Sequence, residues 1–355
     1  MSKIEIVEQD EIEIEEIPLI DEPSFKKVEK PKKEKTDKKG FKNLLSKIRF
    51  IKKIQKAEGY NYNAYCMLSN MWLAARNDMV QIAIPVHENI NCCPKTFLLF
   101  DAVNTLKTDF QMVALHNSLQ VDNENMTINI PCTDYENLSL EAPDQITFGI
   151  DNNFKETLKT AALYASKKDK DKFFNCFHFD EHTIITSNNI AISQLLHNVK
   201  FPHSFKLKLK TIKLIIDYPY ELKSIGITES SITFYFADNG FIKCWFETIE
   251  QELNLNEVFS YSHNFKHLLI SNEFRQAIAP FKKYVFFKND KVSSKIDEEN
   301  ATIYNYSTDL NNIAFNAPDL YNCLFCSDHA ILDLENNKLL VVGDKQRCCI
   351  TTLEL

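Results

Sequence analysis

The ten cysteines are the residues in this chain most suggestive of chemistry, but their spacing supports little of it. Cys92-Cys93, Cys348-Cys349 and a single CxxC, Cys323-Leu-Phe-Cys326, are the close groupings. A zinc site needs two such knuckles, or one knuckle and a histidine pair. The lone CxxC lies in an apolar stretch that reads as helical, so buried, reduced thiols are expected rather than metal ligands or a redox pair. Nine histidines, among them His87, His116 and His178, show no ligand-like pairing. A glycine-rich phosphate loop, a nucleophile elbow, HExxH and a clustered acidic dyad are all missing. The expectation is a non-enzyme, with no catalytic residue, cofactor or metal.

The cations are patterned differently. Residues 1–25 carry nine acids and one lysine, and residues 26–57 carry fourteen basic residues and three acids. The remaining 58–355 hold 26 basic and 37 acidic residues, so the net −8 hides a block of +11. An acidic body with localised basic helices suits loose retention of a polyanion, not tight groove reading. In segment 41–56, Leu44, Ile48 and Ile51 share one helical face. Lys42, Arg49, Lys53 and Lys56 recur at +7, +4 and +3 on another. Lys155, Lys159, Lys208, Lys210, Lys213, Arg275, Lys282 and Lys283 place further cations on later helical segments. Each could be a phosphate contact, sequence-independent and salt-sensitive, or the solvated face of a surface helix. The regular stripe favours phosphate for the first helix.

The elements that would carry these residues recur. A length of 355 residues suggests two or three domains. The 44% hydrophobic and 25% charged content is that of a globular protein. No apolar run approaches the ~18–20 residues of a membrane span, and the acidic start is no secretory signal, so a cytoplasmic protein is expected. Residues 1–40 read as a charged, disordered tail; a partner-docking peptide within the isoleucine-rich part remains an alternative. From residue 41 the same order appears three times. Helices at 41–56, 154–166 and 273–284 are followed by short β segments at 62–86, 173–195 and 285–306. Second helices at 94–106, 210–218 and 317–326 are followed by hairpins at 110–130, 225–246 and 330–355. Asp122-Asn123, Asp238-Asn-Gly240 and Asn336-Asn337 mark turns. Joining such units edge to edge extends a sheet and removes exposed edges, and closing the array removes the last two.

With this order in place, the chain resembles the bacterial-type DNA sliding clamp, the beta subunit of the replicative DNA polymerase. Thr157-Leu-Lys-Thr-Ala-Ala-Leu-Tyr-Ala-Ser166, Thr183-Ile-Ile-Thr-Ser-Asn-Asn-Ile-Ala-Ile-Ser193 and Ser204-Phe-Lys-Leu-Lys-Leu-Lys210 are similar to its middle domain. Ser231-Ile-Thr-Phe-Tyr-Phe236 through Phe246 is similar to the hairpin before its linker. Ala314-Phe-Asn-Ala-Pro-Asp-Leu-Tyr321, Cys349-Ile-Thr-Thr-Leu-Glu-Leu355 and Met126-Thr-Ile-Asn-Ile-Pro-Cys-Thr-Asp134 extend the likeness over residues 41–355. Ser187-Asn-Asn189 replaces the usual Asp-Gly-His turn, and the ending departs from the family's Met-Pro-Met-Arg-Leu type. Only six glycines occur, while Asn, Lys, Ile and Phe abound, as in a divergent phage or viral version.

The resemblance implies an α+β fold of three tandem clamp-type domains, at 41–140, 141–258 and 259–355, each with two helices on antiparallel sheets. It implies a head-to-tail homodimeric ring around double-stranded DNA, with the replicative polymerase and a clamp loader as partners. It also implies a peptide groove between the second and third domains, carried by position onto Thr186, Ile190, Ala191, Ile350, Leu353 and Leu355. The missing Pro and Met of the ending leave the groove's shape open. The alternative is a degenerate or monomeric clamp-like scaffold that does not encircle DNA.

Overall fold

Asparagine takes the backbone conformations that glycine usually serves. Asn70, Asn189, Asn239, Asn312 and Asn337 adopt φ between 49° and 74°, the left-handed region that Asn tolerates better than most residues. Most of them turn one strand into the next, so a chain with six glycines still folds into tight hairpins. The computed structural model describes residues 42–353, apart from 59–61, 108–109, 152, 169, 171, 249–252, 289–290, 297–300 and 307–309. The expected charged tail at 1–40 and Leu355 lie outside the described residues.

The chain passes three times through a helix, strands, a helix and strands. The first pass runs α1 (Leu44–Ile51), β1 (Met67–Ser69), β2 (Trp72–Arg76), β3 (Val80–Pro85), α2 (Thr96–Leu106), β4 (Gln111–Ala114), β5 (Ser118–Asn123) and β6 (Met126–Pro131). The second runs β7 (Ile146–Gly149), α3 (Asn153–Ala161), β8 (Cys176–Phe179), β9 (Thr183–Ser187), β10 (Ala191–Leu196), β11 (Phe205–Lys208), α4 (Leu209–Asp217), β12 (Leu222–Ile227), β13 (Ser231–Phe236) and β14 (Phe241–Trp245). The third opens with α5 (Leu255–Phe259), β15 (Phe265–Leu269), α6 (Asn272–Ile278), β16 (Tyr284–Lys288), β17 (Lys291–Ser293) and β18 (Ile303–Asn305). It closes with β19 (Ile313–Asn316), α7 (Ala317–Cys323), β20 (His329–Asp333), β21 (Lys338–Val342) and β22 (Gln346–Thr351).

The leading helices are shorter than the periodicity suggests, for local reasons. Asn43 caps α1 through a capping box with Ser46, and the helix tightens into a 3-10 turn at Lys52–Ile54. After α3 the chain turns so that Tyr164 and Ala165 enter the core, and the Ser166 amide donates to Phe174 O at 2.8 Å. Pro280 follows α6 by two residues and has no amide hydrogen to continue it. In each pass the two helices pack together: α1 on α2, α3 on α4 and α6 on α7.

The sheets run across the boundaries between passes. A seven-stranded antiparallel sheet, β1-β2-β3-β14-β13-β12-β7, joins the first pass to the second through the β3–β14 pair. An eight-stranded sheet, β11-β8-β9-β10-β22-β21-β20-β15, joins the second to the third through β10–β22. Two smaller sheets, β4-β5-β6 and β18-β17-β16-β19, remain at either end of this array. The largest core cluster is continuous from Leu44 to Cys244, while a second one holds the third pass together with Tyr164 and Ala191.

One core residue carries a testable pH dependence. His197 is 7% exposed, with its ring edge-on to Phe154 at 5.6 Å and Phe201 at 5.1 Å between centroids. Burial favours the neutral ring and pushes its pKa down to about 4. A depressed base contributes its full stability above its unfolded pKa of ~6.5 and loses it as pH falls toward 4, at about 1.4 kcal/mol per unit. His197→Phe is expected to reduce the proton uptake on unfolding between those limits by about one. Urea midpoints measured from pH 7 to pH 4.5 read this directly, and an unaltered slope in the variant contradicts it.

Candidate nucleic-acid interface

The helix pairs sort the twelve expected phosphate-contacting residues into two kinds. On α1, Leu44, Ile48, Phe50 and Ile51 are buried, while Lys42, Arg49, Lys53 and Lys56 are exposed at its two ends and outer face. The Arg49 guanidinium lies 5.6 Å from the Phe100 ring of α2, a stacking that orients it without neutralising it. Lys53 ion-pairs with Asp217, at the end of α4, at 2.9 Å. Lys210 and Lys213 on α4 are exposed, as are Lys282 and Lys283 after α6.

The remaining four are engaged within the fold. Lys155 donates to the carbonyls of Tyr218 and Tyr220, tying α3 to the end of α4. Lys159 pairs with Glu156 at 2.6 Å, one turn earlier on α3. Lys208 pairs with Glu247 at 3.0 Å. Arg275 donates to Leu324 O, Ser327 O and the Asp328 carboxylate, which fastens α6 to the segment after α7. With Lys53 set aside too, seven exposed cations stand outside these ion pairs: Lys42, Arg49, Lys56, Lys210, Lys213, Lys282 and Lys283.

Five of the six expected groove residues lie on or beside the strand pair that joins the second pass to the third, and Leu355 is outside the described residues. Ala191 and Ile350 are cross-strand partners in β10–β22, the Thr351 amide donates to Ile190 O at 3.0 Å, and the Leu353 amide to Ala314 O at 2.8 Å. Thr186, Ala191 and Ile350 have at most 1% exposure, and the Thr186 hydroxyl donates to Ala161 O at the end of α3. Ile190 and Leu353 are half-buried and present apolar surface. The Ser187-Asn-Asn189 turn is well formed: Asn188 Oδ1 accepts from the amides of Ile190 and Ala191, and its Nδ2 donates to Asp319 at 2.8 Å. Burial pushes the Asp319 carboxyl up from its usual value.

Sequence reasoning missed a cavity of about 650 Å³ on the opposite face of that sheet, lined by His178, Ile185, Lys206, Phe246, Leu253 and Leu255 among others. Its available signal was Leu253 and Leu255, apolar residues in an otherwise polar linker. Burial pushes the His178 pKa down to about 4, so its ring is neutral near pH 7. Ser204 on the same rim donates to Asp180 at 2.7 Å in an exposed position. Among the described residues no group of three or more His, Cys, Asp or Glu side chains could hold a metal ion.

No family model matches the sequence, and no curated protein sequence is similar to it. Solved structures are similar throughout its folded length. A Helicobacter pylori beta clamp bound to a DNA ligase peptide superposes with a TM-score of 0.71 at 12% identity, covering 88% of this chain and 98% of that one. The DNA polymerase III beta subunits of Borrelia burgdorferi and Thermotoga maritima give 0.68 and 0.66 at 14% and 12% identity, each covering 88% of this chain and 97% of theirs. The fold is that of a DNA sliding clamp.

In this clamp fold each sheet junction is covered by a linker and held by a lysine. At the first junction Lys243 of β14 sits opposite Gln81 of β3. Gln81 exchanges two hydrogen bonds with the Glu141 backbone, at 2.8 and 2.9 Å. Lys243, 7% exposed, reaches Asp144 at 3.1 Å, Glu141 at 3.3 Å and Ala142 O at 3.0 Å. At the second junction Lys338 of β21 donates to the carbonyls of Glu257 and Val258 in α5, which lies over Ile185, Ile192, Leu340 and Cys349. Neither lysine was expected to have a role.

Proposed function

We propose that this chain is a processivity clamp of DNA replication: a non-catalytic ring around duplex DNA that tethers a replicative polymerase and is opened by a clamp loader. The observation that carries the reading is the clamp fold along the whole described chain, combined with exposed Lys and Arg on its helix pairs. Such cations hold phosphates without reading bases, which a sliding protein requires. Three tandem domains at 41–140, 141–258 and 259–355 belong to this reading, joined through shared sheets at β3–β14 and β10–β22. The protein works where its DNA is replicated, in the cytoplasm. No helix among the described residues is long and apolar enough to cross a membrane.

Ring closure uses the two end sheets. Among the described residues β4 and β18 each have a strand on one side only. Val113 on β4 and the following Leu115 are both 47% exposed, and Ile303 and Tyr304 on β18 are 42% and 41% exposed. Pairing β4 of one copy with β18 of a second covers these side chains and both edges, giving a homodimer of six domains. Partner peptides enter beside Ile190 and Leu353, where Leu353 lines a cavity of about 530 Å³ with Ile313 and Thr351. The structurally similar Helicobacter pylori beta clamp is bound to a DNA ligase peptide.

Light scattering over a range of concentrations tests closure. A mass near twice 41.2 kDa is expected, together with retention on nicked circular DNA that is lost when the DNA is linearised. A strict monomer that does not stay on circular DNA would leave only a clamp-like scaffold.

A further inference from the structure

Three cysteines and a tyrosine meet where α7, β22 and the turn after α3 come together, in the place of the inert CxxC expected from spacing. Cys326 Sγ lies 3.0 Å from Cys348 Sγ, and Tyr164 Oη lies 3.8 Å from Cys326 Sγ. Gln346 Nε2 donates to Cys348 Sγ at 3.2 Å. Cys323 and Cys348 are fully buried, but Cys326 is only half-buried, and Phe325 beside it is 61% exposed. One sulfur of the close pair is therefore within reach of a small oxidant, and the other waits behind it.

We propose that Cys326 and Cys348 form a redox modification site that closes to an intramolecular disulfide when the protein meets a hydroperoxide. A disulfide needs an S–S distance of ~2.05 Å, so the sulfurs must approach by only about 1 Å. With hydrogen peroxide, the Cys326 thiol takes one oxygen to become a sulfenic acid and releases one water. The Cys348 sulfur then attacks the Cys326 sulfur and the S–O bond breaks. The departing hydroxide takes the Cys348 proton and leaves as the second water. Two electrons pass from the thiols to one peroxide. Such a bridge in a reducing compartment is transient and sensing rather than structural. It staples the end of α7 to β22, whose partner β10 carries the Ile190 side of the groove. The chemistry does not depend on ring closure.

The test uses the full-length protein and hydrogen peroxide as the only oxidant. The free-thiol count should fall from ten to eight per chain, with a peptide linked through Cys326 and Cys348 in a non-reduced digest. The melting temperature should rise by several degrees, the magnitude expected for a bridge across about 20 residues. Cys326→Ser should keep its remaining thiols at the same dose, whereas Cys132→Ser, which removes one partner of the separate hydrogen-bonded thiol pair Cys92–Cys132, should still lose two. An unchanged count in the wild-type chain, or a link confined to Cys92 and Cys132, overturns the proposal.

Discussion

Lys243→Met is expected to lower the unfolding free energy by about 3 kcal/mol, the lower end of the cost of breaking a buried ion pair. The side chains of Lys243 and Asp144 are 8% and 4% exposed, so neither ion has water to fall back on. Removing the lysine strands the Asp144 carboxylate among the hydroxyls of Ser231 and Thr233, which donate to it at 2.9–3.0 Å and soften the loss. It also leaves Glu141 with Arg76 as its remaining ion-pair partner at 2.9 Å and frees the Ala142 carbonyl, on the linker that Gln81 holds from the other side of the junction. Adding Asp144→Asn to the methionine variant should recover at least about 1 kcal/mol, because the second change removes the unpaired charge. Urea unfolding of the two single variants and the double variant reads this coupling. A lysine variant within about 0.5 kcal/mol of the wild type would show that hydrophobic cover alone holds the linker.

How far the sequence shows this architecture depends on what each pattern reports. Apolar periodicity places six of the seven α-helices among the described residues, because a helix on a sheet must bury one stripe, as Leu44, Ile48 and Ile51 do. The turns are visible in Asp238-Asn-Gly240 and Asn336-Asn337 because few residues accept positive φ. The strands β7 and β15 are missed because they are edge strands with mostly exposed side chains, and such strands carry weak alternation. The short helix α5 is missed because its purpose is tertiary: it covers Ile185 and Ile192 and has no buried stripe of its own. The site was legible by type more than by partner. Lysines at helical spacing are visible in sequence, but whether a lysine faces solvent, as Lys213 does, or caps a neighbouring helix, as Lys155 does, depends on residues 60 or more positions away. Of the residues expected to line a groove, Ala191 and Ile350 pair across β10–β22, Thr186 lies on the adjoining β9, and Leu355 is outside the described residues. Strand alternation then turned Ala191 and Ile350 inward and left Ile190 and Leu353 toward the surface.

Reversing charge at Arg49 and Lys213 together is expected to weaken retention on circular DNA at least tenfold near 0.1 M salt, with the folded state intact. These positions are chosen because both are exposed and stand outside the ion pairs, whereas Lys53 is held by Asp217 and its loss would disturb the contact between α1 and α4. Exposed substitutions of this kind change stability by less than about 0.5 kcal/mol, so a loss of DNA binding cannot be assigned to unfolding. Each lost phosphate contact lowers the slope of log affinity against log salt by about 0.9. Arg49→Glu/Lys213→Glu should therefore flatten that slope by nearly two, and the new carboxylates add repulsion at low salt. The same measurement on Lys159→Glu should show a smaller change, since Glu156 already offsets that charge on α3. An unaltered salt slope in the double variant would mean that these helix faces do not meet DNA, and would leave the clamp fold serving a partner other than the duplex.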